Sequence, residues 1–415
     1  MNLNKLCENY ADLIHHMEVH NYSCEYIESI EWELKWIKKK RAQNNWNSYV
    51  EVYNDRVTSG RKTERSKDRI YHLRSIYSIL QRFEEKGEYP NRKKGEPLIK
   101  RSSYYQLIPT FREIIDLYVE YAKEVGRKDS TIKKRFYKGS CFLLHLQKAG
   151  YKSLENVTEK DILNYFTDDE GNAILSSTTK REIASILQAE LGIHTRDAKR
   201  LLPFLPKIKK HRKNIKYLTT EESKLIRHAL NDKANNLTYR ERAIGTLLYF
   251  TGLRTGDIAE LRLSEIDWEK EQILLTQKKT GNPIIIPLTT PVGNALYDYI
   301  VSERPKIKDD HVFLWCLPPY YHINSVSIWP LTAKIYKAAG IRQNKGDRRG
   351  AHLFRHHLAT HMIEHGISQP VISEALGHIN PNSLNHYLST DIVHLRQCAL
   401  SIEEFPVDEE VFQYE

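Results

Sequence analysis

Two short apolar segments, QILLT (272–276) and IIIPL (284–288), are the predicted strands of this chain. They are separated by a turn-forming segment, so together they predict one β-hairpin. Elsewhere, as in the stretch Tyr26 to Arg41, apolar residues recur at helical spacing. The fold class that follows is mainly α-helical with a small β-hairpin or sheet.

The length of 415 residues exceeds what one ordinary hydrophobic core holds, and breaker residues suggest where the chain divides. Residues 1–106 are predicted to form a helical N-terminal domain, with its role left open between DNA binding and partner binding. Residues 107–206 contain four or five helical segments and are predicted to be a second domain. Residues 207–415 comprise a basic linker, a third domain and a C-terminal tail.

Composition favours a soluble protein with a polyanionic partner. The chain carries 63 Lys and Arg against 53 Asp and Glu, a net charge of +10, and nucleic acid is the commonest polyanion. The five cysteines are scattered without a C-x-x-C pair, which argues against a disulfide framework or a thiolate zinc site. No stretch is as long and apolar as a signal peptide or membrane span requires, so we expect a cytoplasmic protein with no membrane association.

The segment Pro206 to Lys216, PKIKKHRKNIK, contains basic residues and no acidic residue. Such a segment is either a solvated hinge or a strap that lies along a phosphate backbone, where each neutralised phosphate releases counterions. The composition of this segment does not distinguish between these two interpretations. The predicted DNA-binding residues in this linker are Lys207, Lys209, Lys210, Arg212, Lys213 and Lys216.

Two segments of the third domain place basic residues at turns. Arg254, in TGLRTGD, follows the point where Gly252 ends an apolar helix and can project into a cleft. A plainer interpretation pairs Arg254 with Asp257 or Glu260 on the surface. The hairpin turn QKKTGNP carries two lysines, Lys278 and Lys279.

Two further segments follow near the C-terminus. His352 and Arg355, in HLFRHH, lie three residues apart and so share one face of a helix. In EALGHINPNSLNHYLS, Gly377 ends a short helix and His378 comes next. Tyr387, one of 25 tyrosines, follows His378 by nine positions.

Together these segments resemble the tyrosine recombinase, or phage integrase, family. The family's signature is T-G-x-R, a lysine in a β-hairpin turn, H-x-x-R, and L-G-H followed nine residues later by tyrosine. The resemblance covers about 180 residues well and implies that residues 107–206 are a SAM-like, core-binding DNA-binding domain. It does not extend to residues 1–106. The catalytic residues that it implies are Arg254, Lys279, His352, Arg355, His378 and the nucleophile Tyr387, with Asp257 bracing the site.

The chemistry implied by the resemblance requires these residue types. Guanidinium groups stay ionised and clamp the charge of a five-coordinate phosphorus. The hydroxyl of Tyr387 must lose a proton as it attacks, and His352 or His378 can accept that proton or hydrogen-bond the phosphate. Lys279 is the expected general acid, with Lys278 as its rival. No cofactor and no metal ion are expected, because the arginines carry out the charge stabilisation that Mg²⁺ provides elsewhere.

One pattern in the same helix resembles a zinc motif. His357 and His361 are four residues apart, as in H-E-x-x-H, but Leu358 occupies the position of the glutamate. We interpret both histidines as packing or DNA-facing residues.

The predicted function is a site-specific recombinase or integrase of a mobile element, which cleaves and rejoins duplex DNA through a 3′-phosphotyrosyl intermediate. The resemblance implies double-stranded DNA, a homotetramer on two DNA sites and an accessory directionality protein as partners. The alternatives are a Xer-like resolvase, a DNA invertase, a type IB topoisomerase and a non-catalytic DNA-binding regulator. The tail after Tyr387 is expected to dock either on its own domain or on a neighbouring protomer.

Overall fold

The structure of the protein is a computed structural model that describes residues 1–59, 66–91, 97–100, 102–168, 170–189, 195–208 and 217–378, together with Leu384. The chain divides into two compact units. One consists of Met1–Cys7 and Ile37–Arg212, and the other of Glu8–Trp36 and Lys213–Glu415. The three-domain division of the sequence stays a prediction.

The part of the chain before the basic linker is helical, as the periodicity predicted. The helices are α1 (Leu3–Val19), α2 (Cys24–Lys40), α3 (Tyr49–Thr58), α4 (Lys67–Lys86), α5 (Ser103–Gln106), α6 (Pro109–Glu124), α7 (Asp129–Lys148), α8 (Glu159–Phe166), α9 (Ser177–Ala189) and α10 (Thr195–Leu201). Thr158 caps α8 through a capping box with Asp161. The last predicted helix of this region was drawn to Leu205, but α10 ends at Leu201 because Pro203 disfavours an α-helical residue before it.

Helices α6, α7 and α9 enclose the core of the first unit. Phe111, Tyr118 and Phe142 are among its fully buried side chains. The buried carboxylate of Glu182 on α9 accepts a hydrogen bond from Nε of Arg135 on α7 at 2.8 Å. Burying a carboxylate is costly unless it is paired, so this contact fixes how α7 and α9 pack.

The second unit contains helices and one small sheet. Its further elements are α11 (Thr220–Asn231), α12 (Tyr239–Thr251), α13 (Thr255–Glu260), β1 (Ile266–Asp267), β2 (Gln272–Thr276), β3 (Pro283–Pro287), α14 (Thr290–Ser302), α15 (Ile328–Ala338), α16 (His352–Glu364) and α17 (Gln369–Leu376). Capping boxes begin α11 at Thr219 and α12 at Thr238.

The sheet is antiparallel, in the order β1-β2-β3. The predicted hairpin is present, with β3 starting one residue before the predicted strand. Strand β1 was not predicted, because a strand of two residues has no periodicity to detect. Its Ile266 pairs with Ile273 and buries the edge of the hairpin against the core.

Helix α12 lies at the centre of the second unit and packs against α14, α15 and α16. Its residues are buried on nearly every side, as expected for a helix without a polar face. Among the described residues, no helix is both long and apolar enough to cross a membrane. Because α12 is held on all sides, the turn at its C-terminal end is placed rigidly.

Candidate active site

Arg254 lies in the turn between α12 and α13. Gly252 ends α12 in the left-handed conformation (φ 59°), and Arg254 is the extended residue that precedes α13. A Cβ atom on residue 252 would lie 3.0 Å from the side chain of Leu358, so both the backbone angle and the space require glycine. The side chain of Arg254 is 16% exposed, and its Nη1 lies 4.0 Å from Oδ2 of the buried Asp257, so the pairing with Asp257 is present inside the site and not on the surface.

Arg355 lies on α16 and is 6% exposed. Its Nη1 donates a hydrogen bond to the carbonyl of Gly252 (3.0 Å), and its Nη2 donates to the carbonyl of Leu376 (2.6 Å). Arg254 donates to the adjacent carbonyl of Gly377 at 3.5 Å. The two guanidinium groups therefore meet between the same two turns, one after α12 and one after α17.

Gln277, the first residue after β2, joins the hairpin turn to both of these turns and is 1% exposed. Its Oε1 accepts hydrogen bonds from Nη1 of Arg254 (2.5 Å) and from the hydroxyl of Thr280 (2.8 Å). Its Nε2 donates to the carbonyl of Leu376 (3.1 Å). A Cβ atom on Gly377 would lie 2.4 Å from this amide. Sequence reasoning missed Gln277, because no local pattern distinguishes it from other turn residues.

The two lysines of the hairpin turn have different environments. The backbone N–H of Lys278 donates to Oδ1 of Asp257 (2.9 Å), and its ammonium group contacts Oε1 of Glu260 (2.5 Å). Lys279 is exposed, and its charge contributes to lowering the pKa of His352. The structure thus ties the Lys278 amine to α13 and places the charge of Lys279 near His352.

Asp257 is buried beside the two arginines, at 4% exposure. Burial raises the pKa of its carboxyl, although the Lys278 N–H, Arg254 and Arg355 act in the opposite direction. Its Oδ1 holds the hairpin turn, while its Oδ2 lies 4.0 Å from Nη1 of Arg254. Asp257 therefore holds the backbone of the hairpin turn that carries both lysines, and its second oxygen lies beside Arg254.

Two histidines, His352 at the start of α16 and His378 just after α17, lie close enough to the arginines for those charges to affect their pKa values. Burial, and then Arg355, Lys279 and Arg254, lower the pKa of His352. Burial, Arg355 and Arg254 lower the pKa of His378 to about 4. Both imidazoles are therefore neutral at pH 7 and able to accept a proton. Nδ1 of His378 is buried, with no hydrogen-bond partner among the described residues.

Several predicted site residues lie outside the described residues. They include the nucleophile Tyr387, the tail that follows it, and the linker residues Lys209, Lys210, Arg212, Lys213 and Lys216. Lys207 is described and exposed. Leu384, three positions before Tyr387, is fully buried and packs with Ile363 on α16 and Ile372 on α17.

A cavity of about 620 Å³ lies beside His352. Its lining includes Trp329, Arg348, Arg349 and His356, and much of its wall is the loop that precedes α16. Sequence reasoning did not single out this loop, although the run NKGDRRG directly before H-x-x-R was the available signal. Arg348 and Arg349 therefore add basic charge to the cavity beside His352.

His357 does not behave as a zinc ligand. Its Nε2 hydrogen-bonds to the hydroxyl of Ser223 (2.9 Å), and its Nδ1 to the carbonyl of Leu218 (3.1 Å). Because both ring nitrogens have protein partners, His357 fixes α16 against α11 and the residues before it. This agrees with the packing interpretation of the sequence.

Comparison with known proteins identifies the family. The phage integrase family matches residues 216–393. The chain is 34% identical over 163 residues to the putative integrase/recombinase y4gC of Sinorhizobium fredii, covering 39% of this chain and 83% of that protein. It is 28% identical over 291 residues to tyrosine recombinase XerA of Pyrococcus furiosus, covering 69% of this chain and 92% of that protein.

Solved structures show the same fold. XerH recombinase bound to a difH substrate superposes with a TM-score of 0.54 at 16% identity, covering 71% of this chain and 97% of XerH. A lambda integrase dimer bound to a core site gives a TM-score of 0.51 at 21% identity, covering 66% of this chain and 94% of the integrase chain. Fold and site define a DNA strand transferase. The chain belongs to the phage integrase family, and the protein is a tyrosine-type site-specific recombinase.

Proposed function

We propose that this recombinase is the integrase of a mobile element and that Tyr387 is its nucleophile. The observation that carries the proposal is the convergence of Arg254 and Arg355 between the same two turns. Two guanidinium groups held this rigidly form a preorganised receptor for a phosphate. The relative named as an integrase/recombinase supports the mobile-element role, as does the additional N-terminal region.

In the proposed reaction the Tyr387 hydroxyl attacks a DNA phosphorus and forms a 3′-phosphotyrosyl bond. The bond from phosphorus to the 5′-oxygen breaks, and that oxygen leaves as a hydroxyl. Arg254 and Arg355 stabilise the charge on the nonbridging oxygens, and one such donor contributes roughly 3–4 kcal/mol.

Proton transfer follows from the charges of the site. Neutral His352 accepts the proton that Tyr387 loses, because its lowered pKa keeps the imidazole unprotonated at pH 7. Lys279 donates a proton to the leaving 5′-oxygen. Lys278 is the weaker choice, since its ammonium group is already paired with Glu260 at 2.5 Å. His378 is a second neutral imidazole that can hydrogen-bond the phosphate.

Gln277 and Asp257 act as positioning residues in this proposal. Gln277 orients the Arg254 guanidinium and ties the hairpin turn to the turn after α17. Asp257 accepts the Lys278 N–H and so fixes the backbone next to Lys279. Both arginines and the hairpin turn that carries Lys279 are therefore joined through Gln277 and the carbonyl of Leu376, which suits a reaction that needs precise placement.

Double-stranded DNA is the proposed substrate and partner. The six basic linker residues from Lys207 to Lys216 would contact the phosphate backbone, and Arg348 and Arg349 in the cavity wall add basic charge beside the site. Strand exchange in this proposal uses a homotetramer on two DNA sites, with an accessory protein setting the direction. We propose that the reaction takes place in the cytoplasm.

A suicide substrate tests the proposal. A duplex carrying the element's end sequence and a nick near the cleavage position loses a short fragment after attack, which traps the covalent intermediate. We expect a protein–DNA adduct that protease digests and that the Arg355→Lys variant forms at a much lower rate. Tight binding without an adduct would support the DNA-binding regulator, and an adduct that only relaxes supercoils would support the type IB topoisomerase.

A Xer-like resolvase is the second candidate. The observation that favours it is that tyrosine recombinase XerA aligns with this chain over 92% of its own length. A plasmid with two directly repeated sites distinguishes the functions, because a resolvase separates it into two circles without an accessory factor. Inverted repeats test a DNA invertase, and joining of two separate molecules supports the integrase.

A further inference from the structure

Three metal-ligating side chains from separate segments meet beside the hairpin turn. Glu260 is the last residue of α13, whereas His311 and His322 lie in the segment between α14 and α15. One possible ligand atom from each lies within 4.8 Å of the other two, and each residue is half-buried. We infer that Glu260, His311 and His322 form a binding site for a divalent transition-metal ion such as Zn²⁺.

The donor set suits this ion. Two imidazoles and one carboxylate are a ligand set used by zinc, with a fourth position left for water. Metal–ligand distances of about 2.0–2.1 Å place tetrahedral donors about 3.3 Å apart, so the three atoms must approach one another slightly. The rings of His311 and His322 stack at 3.9 Å with 9° between their planes. Coordination of one ion by both imidazoles therefore requires one ring to rotate out of this stack.

Asp309 prepares His311 for coordination. Oδ1 of Asp309 accepts hydrogen bonds from Nδ1 of His311 (2.7 Å) and from its backbone N–H (2.8 Å). A proton on Nδ1 leaves Nε2 as the lone-pair atom, which faces Oε2 of Glu260 at 3.9 Å. In zinc sites, the ring nitrogen of a histidine ligand that does not bind the metal commonly donates a hydrogen bond to a carboxylate.

The backbone also preorganises the site. His311 pairs with Arg262, two residues after the end of α13, and His322 pairs with Leu314, both in antiparallel bridges. The carbonyl of Leu261 accepts the N–H of Val312 at 2.8 Å. Ligand positions held by backbone hydrogen bonds need little ordering when an ion binds.

The site shares Glu260 with the catalytic turn. The Lys278 ammonium lies 2.5 Å from Oε1 of Glu260, where it competes with a metal ion for the carboxylate. Binding of Zn²⁺ to Glu260 breaks the contact between the Lys278 ammonium and this carboxylate, and Lys279 is the neighbour of Lys278 in the chain. The metal site is therefore an inhibitory site that acts on the general-acid turn. Only this coupling rests on the proposed role of Lys279, and the binding site itself does not.

Metal titration of the full-length, tag-free protein without DNA tests the binding site. Calorimetry with Zn²⁺ gives the affinity, and the visible absorption of bound Co²⁺ reports the coordination number and any thiolate ligand. We expect one tight site, no thiolate band, and affinity that falls by more than about 100-fold in His311→Ala or His322→Ala. Asp309→Asn should weaken binding by about 10- to 100-fold.

The Lys278→Ala variant should change Zn²⁺ affinity in the opposite direction, and an increase in affinity cannot result from misfolding. Removal of the competing ammonium should raise Zn²⁺ affinity by about tenfold. A matched control is the double variant His361→Ala/His365→Ala, because these two exposed histidines contact each other at 2.7 Å at the C-terminal end of α16. Unchanged affinity in this control supports the proposed site.

Two results overturn the inference. One is unchanged Zn²⁺ affinity in both His311→Ala and His322→Ala, and the other is loss of binding in the His361→Ala/His365→Ala control.

The coupling to the general-acid turn is tested separately, by measuring cleavage of the suicide substrate. Zn²⁺ should slow wild-type cleavage and leave the His311→Ala rate unaffected. Tight binding that leaves cleavage unchanged would overturn the coupling alone.

Discussion

The side-chain carbonyl of Gln277, a residue only 1% exposed, accepts a hydrogen bond from Nη1 of Arg254 at 2.5 Å. The amide nitrogen of the same side chain holds the carbonyl of Leu376 at 3.1 Å. One residue of the hairpin turn thus fixes the orientation of an arginine and the position of the turn that carries His378. A hydrogen bond to a charged group contributes about 1.5–3 kcal/mol, so loss of this contact has a measurable effect.

Gln277→Ala should lower the rate of cleavage by about 10- to 100-fold, because the Arg254 guanidinium loses its buried acceptor. Duplex affinity should change little, since Gln277 lies beneath the site. Single-turnover cleavage on the suicide substrate and a filter-binding titration separate the two effects. Gln272→Ala, at the other end of β2, is the matched control. Equal cleavage rates for both variants would contradict a positioning role.

Lys279→Ala should slow cleavage strongly on ordinary DNA, and a 5′-thio leaving group should restore the rate, because a good leaving group needs no general acid. Lys278→Ala should lower the cleavage rate less, and the 5′-thio leaving group should not restore it, since the contacts of Lys278 with Asp257 and Glu260 position the turn. Cleavage rates of both variants on matched oxygen and sulfur substrates provide the measurement. If the 5′-thio leaving group restores the cleavage rate of Lys278→Ala instead, Lys278 is the general acid.

The helices, the hairpin and the places of Arg254, Arg355 and the two histidines were predictable because each depends on local spacing. Gly252 and Gly377 end helices in the left-handed conformation, and a glycine at a helix end is visible in sequence. Helical spacing likewise places His352 and Arg355 on one face of α16.

Contacts between distant segments were not predictable. The partners of Gln277 lie 23 and 99 residues away in the chain, and no local pattern links them. The same holds for Glu260, His311 and His322, which meet only because extended segments after α14 pair with residues around Leu261. Long-range pairing is set by packing of the whole unit, so a single sequence without an alignment does not reveal it.

Tyr387→Phe should abolish adduct formation and leave DNA affinity within about twofold, because the change removes one hydroxyl and no charge. Adduct yield and duplex affinity measured on one preparation test this expectation. A matched control is Tyr297→Phe, which removes the hydroxyl of an exposed tyrosine on α14. An adduct in Tyr387→Phe that equals the wild-type yield would assign the nucleophile to another residue.

His378 should make the protein less stable in acid. Its folded-state pKa is lowered from 6.5 to about 4 by burial, Arg355 and Arg254. As the pH falls from 6.5 towards 4, the unfolded chain binds a proton that the folded site does not, so the free energy of unfolding decreases. Urea midpoints across this range should therefore fall less steeply in His378→Gln than in wild type. His228→Gln, at an exposed position on α11, should keep the wild-type slope. If His378→Gln has the wild-type slope as well, another group is responsible for the acid sensitivity.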